Sequence, residues 1–412
     1  MEILGASWVL PIAGEPLRNG RVAVELGRIT WVGREAEPGQ PPGRVRDLGP
    51  GVLLPGLVNA HCHLELSHLA GRVPFGGGFV AWIEALVAAR GPSSALAATA
   101  GPTGAGAADA DEARAAALSA IRFLEQRGTV AVGDVSNSLA HLEALAGSRL
   151  DAVVFAELLA WDPARAGATL SWAQERCRAH AALLRPGLDL KLAAHAPHSV
   201  APALLRLLVE RGGPAAIHLA ESPDESRFLL DGQGAWPAFL EARGLGHVAF
   251  DPPGVSPVRY LEGQGALHPR LVAAHGVWLD AADRELLARR GVHVVLCPRS
   301  NRNLDVGRAD VPALLASGVR LALGSDSLAS AETLDVLDDA VLLQRQFPAL
   351  DPAAIVRIAT AGGAAALGFD GLGTLAPGKR AALAFAAAAA APEDPHGHLL
   401  SGAARLERVE LA

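Results

Sequence analysis

At 412 residues the chain is longer than one core usually grows, so a large barrel-type domain with a smaller partner, or two domains, is expected. Half of the residues are hydrophobic and the net charge is −7, which leaves no basic footprint for nucleic acid and no polybasic patch for a membrane surface; the expected partner is a small molecule. Cys62, Cys177 and Cys297 form an odd, widely spaced trio without a Cys-x-x-Cys, which supports neither a disulfide framework nor a thiolate zinc site and fits a reducing compartment.

The N-terminus, Met1-Glu2-Ile3 followed soon by Pro11 and Gly14, lacks a basic segment leading into an apolar core, so no signal peptide is read. Residues 1–53 carry short β-type runs such as RVAVELGRITWVG, broken by Gly and Pro. The tail from residue 370 repeats that character in AALAF and ARLERVELA, and the two ends are expected to pair into one small composite β-sandwich domain of residues 1–53 and 370–412. The longest apolar stretch, Ala381 to Ala391, is mostly alanine and falls well short of the roughly 20 residues that span a bilayer. A cytoplasmic protein is expected.

Between the ends, residues 54–369 alternate apolar β-like runs with longer helical stretches, the pattern of parallel βα units. Eight strands are read: Val52 to Val58, Thr129 to Gly133, Ala152 to Ala156, Leu190 to Ala194, Ala215 to His218, Leu271 to Ala274, Val292 to Leu296, and Leu321 to Leu323. Eight such units close an α/β (β/α)8 TIM barrel, with a doubly wound open sheet as the competing architecture. DEARAAALSAIRFLEQRG, with its acidic start and terminal Gly128, exemplifies the intervening amphipathic helices. The Gly, Ala, Ser and Pro-rich segment from Gly91 to Asp111 follows the first strand and reads as either a mobile lid or an insertion without a role.

The chemistry of such barrels sits where the strands' C-terminal ends meet their loops. His61 and His63 follow the apolar run Val52 to Val58, and positions two apart on a strand face the same way, a chelating arrangement; two surface histidines in a turn would look the same in isolation. The wider pattern argues for chelation. Six of the fourteen histidines fall at candidate strand ends: His61, His63, His195, His198, His218 and His275. Glu221 follows His218, and Asp326 follows the last strand in GSDS.

Three imidazoles and one carboxylate, His61, His63, His218 and Asp326, suit one divalent ion, Zn²⁺ first and Fe²⁺ second, with a position left for water whose pKa falls to about 7 in favourable zinc sites. Glu221 is cast as the proton carrier, since hydrolysis must move a proton from water to a leaving nitrogen; a first-turn helix acid is the alternative. His275 is expected to hydrogen-bond the water or the developing alkoxide. No lysine is read at the C-terminal end of the third or fourth strand, Lys191 being placed at the beginning of its strand, so one metal is expected rather than two.

In order along the chain, VLLPGLVNAHCHLELS, HAPHSV, IHLAES, AHGVWL, LCPRSN, GSDS and GTLAPGKRA resemble the amidohydrolase superfamily, in particular its deaminase and chlorohydrolase branch. The resemblance implies a metal-bearing barrel with a small β domain from both termini, the four ligands and the Glu221 and His275 roles already assigned, and a homodimer at the level of the family. One departure is Ala382, where the family usually continues with Asp, read as a weakened local anchor. A free Glu221 carboxyl favours deamination, because ammonia leaves poorly until protonated. Within the branch the motifs look most like the 6-amino-6-deoxyfutalosine deaminases of menaquinone biosynthesis, with S-adenosylhomocysteine and methylthioadenosine deaminases as near relatives. Attack at C6 of an adenine-type ring, with Glu221 protonating N1 and then the amine, is the implied reaction.

Substrate contacts are read more openly. His195 resembles the family's substrate-contacting histidine, with His198 as the rival ring. Trp82 either stacks on the substrate or packs in the core. Arg299 either meets a substrate carboxylate or anchors its loop, and Asn301 ties down backbone. Glu157, after the third strand, is a further mouth residue. A cyclic amide hydrolase and a non-catalytic scaffold of the same fold are the readings from other classes.

Overall fold

The computed structural model describes residues 1–35, 37–90 and 107–411. The lid question for residues 91–106 lies outside the described residues. Among the described residues fifteen strands run in chain order: β1 (Glu2–Val9), β2 (Leu17–Glu25), β3 (Arg28–Arg34), β4 (Arg44–Asp47), β5 (Gly51–Pro55), β6 (Leu57–Cys62), β7 (Thr129–Ser136), β8 (Asp151–Leu158), β9 (Leu188–Ala194), β10 (Ala216–Leu219), β11 (Val272–His275), β12 (His293–Leu296), β13 (Arg320–Leu323), β14 (Leu383–Ala387) and β15 (Leu406–Arg408). Seven of them, β1 to β5 with β14 and β15, build one mixed sheet from both ends of the chain. β5 lies at its centre, parallel to β1 and antiparallel to β14.

The apolar run Val52 to Val58 does not form one strand. It breaks at Gly56, where the chain leaves the mixed sheet as β5 and enters the barrel as β6. Both halves are buried along their whole length, so hydrophobic periodicity could not reveal the break. Gly56 is needed at the crossing because a Cβ there would lie 2.2 Å from Val130 Cγ1. Its amide donates to the Ala382 carbonyl at 2.9 Å. Ala382 itself packs against the apolar cluster of Val58, Val130 and Leu372, filling apolar space where a carboxylate would need partners.

Two parallel four-stranded sheets, β6-β7-β8-β9 and β10-β11-β12-β13, make the core, with helices between successive strands. They meet at two seams. At one, Ala215 N donates to Leu192 O at 2.9 Å and His218 N to His195 O at 2.8 Å; at the other, Asp326 N donates to His61 O at 3.0 Å. The eight strands thereby close into a TIM-barrel-like core, and two of these three seam bonds run between polar strand-end residues, His218 to His195 and Asp326 to His61. Gly324 permits the second seam, since a Cβ there would sit 2.7 Å from the His61 carbonyl oxygen. Lys191 lies inside β9 rather than at its start, and its half-exposed side chain pairs with Asp189 at 3.3 Å. No described helix is long and apolar enough to cross a membrane.

Candidate active site

Three turns at the C-terminal ends of strands are bent into the left-handed region at non-glycine residues: Ala220 (φ 51°), His275 (φ 75°) and Asp326 (φ 59°). Such positions are strained and persist only where the surroundings hold them. Glu221, which follows Ala220, and the side chains of His275 and Asp326 bring their ligand atoms within 4.8 Å of one another. The outcome is a compact donor cluster. His61 Nε2 and His63 Nε2 lie 3.7 and 3.5 Å from Asp326 Oδ1, and His63 Nε2 lies 3.3 Å from His218 Nε2.

Hydrogen bonds on the far side of these groups decide what they present. His218 Nδ1 lies 2.9 Å from the His195 carbonyl, which can only accept, so Nδ1 carries the proton and Nε2 is a lone pair. Asp326 Oδ2 accepts from the Ser300 hydroxyl at 2.6 Å and the Ser330 hydroxyl at 3.0 Å, leaving Oδ1 for the histidines. His61 Nε2 is buried without any hydrogen-bond partner. Burial, then the charges of His218, His63 and His275, pushes the His61 pKa well down, and burial takes His218 to about 3 against the opposing pull of Glu157. Neutral imidazoles whose lone pairs converge beside a carboxylate repel one another unless a cation lies between them. The donor atoms of His61, His63 and His218 all fall within 4.8 Å of one another, and the set fits one divalent ion. Cys297 Sγ is near His61 and His275, but burial first, then Asp326, Asp339 and Glu221, raises its pKa, so it stays a neutral thiol.

Glu221 and His275 complete the cluster, with His275 Nε2 3.5 Å from Glu221 Oε1. Asn301, expected to tie down backbone, instead accepts from His275 Nδ1 at 3.0 Å, so His275 Nε2 faces the site as an unpartnered lone pair. Burial, followed by the charges of Asp326 and Glu225, lifts the Glu221 carboxyl well above its ordinary range, which suits a group that must hold and release a proton.

Glu225 escaped sequence reading because it looks like an ordinary first-turn acid behind the Ser222 cap. It is wholly buried, and its two oxygens accept from Ala220 N at 3.1 Å and Glu221 N at 2.9 Å, clamping the strained turn that carries Glu221. Burial pushes its pKa up from 4.5 to about 7, the two backbone bonds opposing. The folded protein therefore binds this proton more tightly than the unfolded chain, so the contribution to stability is full below about pH 4.5 and is lost as pH rises through about 7. The expected amount is about 3 kcal/mol at about 1.4 kcal/mol per pKa unit. Urea unfolding at several pH values should show that slope in the parent and not in Glu225→Gln; parallel profiles would remove the clamp's protonation from the account.

Glu65 was also missed in its role. Rather than facing the donor cluster, its carboxylate accepts from Ser136 Oγ at 2.8 Å, Asn137 N at 3.1 Å and Ser138 N at 2.9 Å, with Arg90 at 3.5 Å. Burial works to raise its pKa, yet Arg90, Ser138 and His141 outweigh it and bring the value to about 2. Through this bond set Glu65 pins the loop after β7, whose Asn137 donates to Glu157 Oε2 at 2.9 Å. Glu157 Oε1 lies 3.5 Å from His218 Nδ1.

Beside the cluster opens a cavity of about 330 Å³ lined by Asn137, Glu157, His195 and His198, and farther out by Trp161, Trp172, Trp236 and Phe239. His195 Nδ1 pairs with the Ser199 hydroxyl, whereas both nitrogens of His198 are buried without partners and its ring lies 4.2 Å from that of Trp236. Trp82 and Arg299 are not among the lining residues. Trp82 packs in a cluster with Phe79 and Leu86 and donates to the Ala329 carbonyl at 3.0 Å. The buried Arg299 guanidinium turns to Asp339 at 2.7 Å, Thr333 Oγ1 at 2.7 Å and the Asp335 carbonyl at 3.1 Å. The loop-anchoring alternative fits that geometry and the substrate contact does not. Arg299→Met should lower unfolding stability by about 3–5 kcal/mol, because it strands the buried Asp339 carboxylate. Thermal or urea unfolding measures this, and a raised KM with intact stability would return Arg299 to the cavity.

The amidohydrolase family pattern matches residues 52–402. The chain belongs to the amidohydrolase family. Among the relatives of this amidohydrolase, the aminodeoxyfutalosine deaminase of Deinococcus radiodurans is 34% identical over 330 residues, covering 77% of this chain and 73% of that protein. The 5-methylthioadenosine/S-adenosylhomocysteine deaminase of Syntrophobacter fumaroxidans is 30% identical over 372 residues, covering 82% and 73%. An adenosine deaminase from Xanthomonas campestris solved with bound zinc aligns with a TM-score of 0.75 at 26% identity over 98% of this chain and 89% of that one. The Helicobacter pylori aminofutalosine deaminase in complex with methylthio-coformycin shares the fold, with a TM-score of 0.80 at 21% identity over the full length of both chains. Fold, family and donor cluster together make this amidohydrolase a hydrolase of carbon–nitrogen bonds, a deaminase with one divalent metal ion, of which zinc is the natural candidate.

Proposed function

We propose that this amidohydrolase deaminates a 6-aminopurine nucleoside, and that aminodeoxyfutalosine, in menaquinone biosynthesis in the cytoplasm, is the substrate. The observation that carries the reading is a nucleoside-sized cavity whose Glu157 and His195 adjoin His218 of the donor cluster, the cluster in which the buried Glu221 lies 3.5 Å from His275. The 34% identical Deinococcus relative supports the choice of substrate over methylthioadenosine or S-adenosylhomocysteine.

His61, His63, His218 and Asp326 would hold the ion, which when bound supplies water acidic enough to lose a proton near neutral pH. Glu221, in its ionised form, takes a proton from the attacking water and delivers it to purine N1 as the water oxygen bonds to C6. The C6 centre becomes tetrahedral, and His275 Nε2 stays turned toward it. Glu221 next moves the proton of the new C6 hydroxyl to the amino group, the C6–N bond breaks as the C6–O double bond forms, and ammonia leaves a 6-oxopurine. His195, His198 and Glu157 line the cavity where the purine would sit, and Asn137 holds the Glu157 carboxylate in place.

An ammonia-release screen over 6-aminopurine nucleosides, with metal content measured on the same sample, tests the proposal. Release from aminodeoxyfutalosine at the highest kcat/KM is the expected result. Metal-replete protein that releases no ammonia from any purine nucleoside overturns it, and ring opening of a cyclic amide by the same sample would favour the amide-hydrolase reading.

A further inference from the structure

β7 gives nothing to the donor cluster, yet two polar side chains near its C-terminal end, Asp134 and Ser136, are fully buried. Both bond the residues that directly follow His63. Asp134 Oδ1 accepts from Leu64 N at 2.9 Å, and Ser136 Oγ donates to the Glu65 carboxylate at 2.8 Å. The second oxygen of Asp134 meets His141 Nε2 at 2.6 Å, and His141 is buried as well. Burial works to lower the His141 pKa, but Asp134 and then Glu65 outweigh it and hold the value above its ordinary range. The Asp134–His141 bond is thus charge-assisted. A buried ion pair is a poor source of stability, since apolar side chains of similar volume often serve a fold as well. Its placement points to another role.

The ladder between β6 and β7 slips beside the metal ligands: Asn59 pairs with Val132 but Cys62 with Asp134, so β6 carries an extra residue in the stretch that holds His61. Such a slip re-aims side chains and leaves the ladder locally disrupted. Just beyond it, His63 leads into the short 3-10 turn Leu64–Leu69 without a side-chain cap, so the first amide of that turn needs an outside acceptor. Asp134 supplies it. The His63 ring has no anchor of its own. His218 Nδ1 is held by the His195 carbonyl, whereas among the described residues His63 makes polar contacts through Nε2 alone, to His218 and Asp326. The aim of His63 is therefore set by the backbone on either side of it. We propose that Asp134, held by His141, is a positioning residue for the metal ligand His63, acting through the Leu64 amide. A carboxylate suits the task because its second oxygen is gripped at the same time, so the first cannot swing away from Leu64.

The inference rests on the proposed ligand role of His63, and His63→Ala separates the two failures. The readout is the zinc affinity of metal-stripped protein, measured by competition with a chromogenic chelator, beside urea unfolding of the same metal-free samples. The double variant Asp134→Leu/His141→Leu replaces the pair with apolar side chains, so its fold should persist. It should bind zinc about 10- to 100-fold more weakly than the parent, while Asp134→Asn, whose carbonyl can still accept from Leu64, stays within about threefold. Cobalt(II) in place of zinc should give Asp134→Asn the visible absorption bands of the parent and the double variant altered ones. Asp134→Ser, too short to reach the Leu64 amide, should show the same loss of affinity and stands in if the double variant does not fold. A merely structural pair would shift the urea midpoint and leave zinc affinity alone. Zinc binding by the double variant or by Asp134→Ser as tight as the parent's, or by Asp134→Asn as weak as theirs, overturns the positioning role and leaves the ligands in place. If His63→Ala binds zinc as tightly as the parent, the ligand assignment falls and the inference with it.

Discussion

Glu221→Gln is expected to keep its metal and lose kcat by about 10³-fold, within the 10²–10⁴ range that a positioned acid–base group contributes. The amide is nearly isosteric, so the turn at Ala220 and the clamp from Glu225 to the backbone amides of residues 220 and 221 persist. What disappears is the ability to accept a proton and return it. Because burial and the charges of Asp326 and Glu225 already hold the carboxyl toward its protonated form, the parent should also show a pH-dependent limb that the variant lacks. Steady-state kinetics with metal analysis checks both. A variant that turns over within tenfold of the parent would move the proton carrier elsewhere, with His275, 3.5 Å away, as the next candidate.

Removal of the metal should have the larger effect, abolishing turnover, with zinc restoring it. His63 and His218 bring two nitrogen atoms to 3.3 Å, and His61 Nε2 lacks any partner, so the metal-free site is electrostatically frustrated as well as inactive. Zinc should therefore raise the unfolding midpoint, by an amount equivalent to about 4 kcal/mol when present at about a thousand times its dissociation constant. In His218→Ala neither activity nor the zinc-dependent shift should return at the same zinc concentration. Chelation followed by differential scanning fluorimetry and an ammonia assay reads all of this. Full turnover by zinc-free protein would dissolve the assigned ligand set.

The donor cluster was legible along the chain because a repeating βα pattern marks where strands end, and polar residues at such ends have one place to point. His61, His63, His218, His275, Glu221 and Asp326 share that property, and the structure gathers them. Side chains elsewhere carry no such address. Arg299 and Trp82 were each open to a substrate contact or a structural role, and Asp339 and the Ala329 carbonyl, 40 and 247 positions away in sequence, decide where they face. Glu65 and Glu225 look like routine acids until backbone amides are brought to them. The break at Gly56 was invisible for the opposite reason: with both flanking strands fully buried, no change in polarity marks the passage from one sheet to the other.

By itself, then, the order of residues determined the class of fold, the family and which residue types stand at the strand ends. Those depend on local periodicity and short motifs. Only the tertiary structure decided which of these groups meet, through the seams in which His218 N bonds His195 O and Asp326 N bonds His61 O. It alone also revealed the aromatic cavity and the buried pair of Asp134 and His141. The physical reason is that hydrophobic pattern reports which face of an element is dry, whereas the partner that satisfies a buried polar atom comes from a distant segment and is chosen by closure of the barrel.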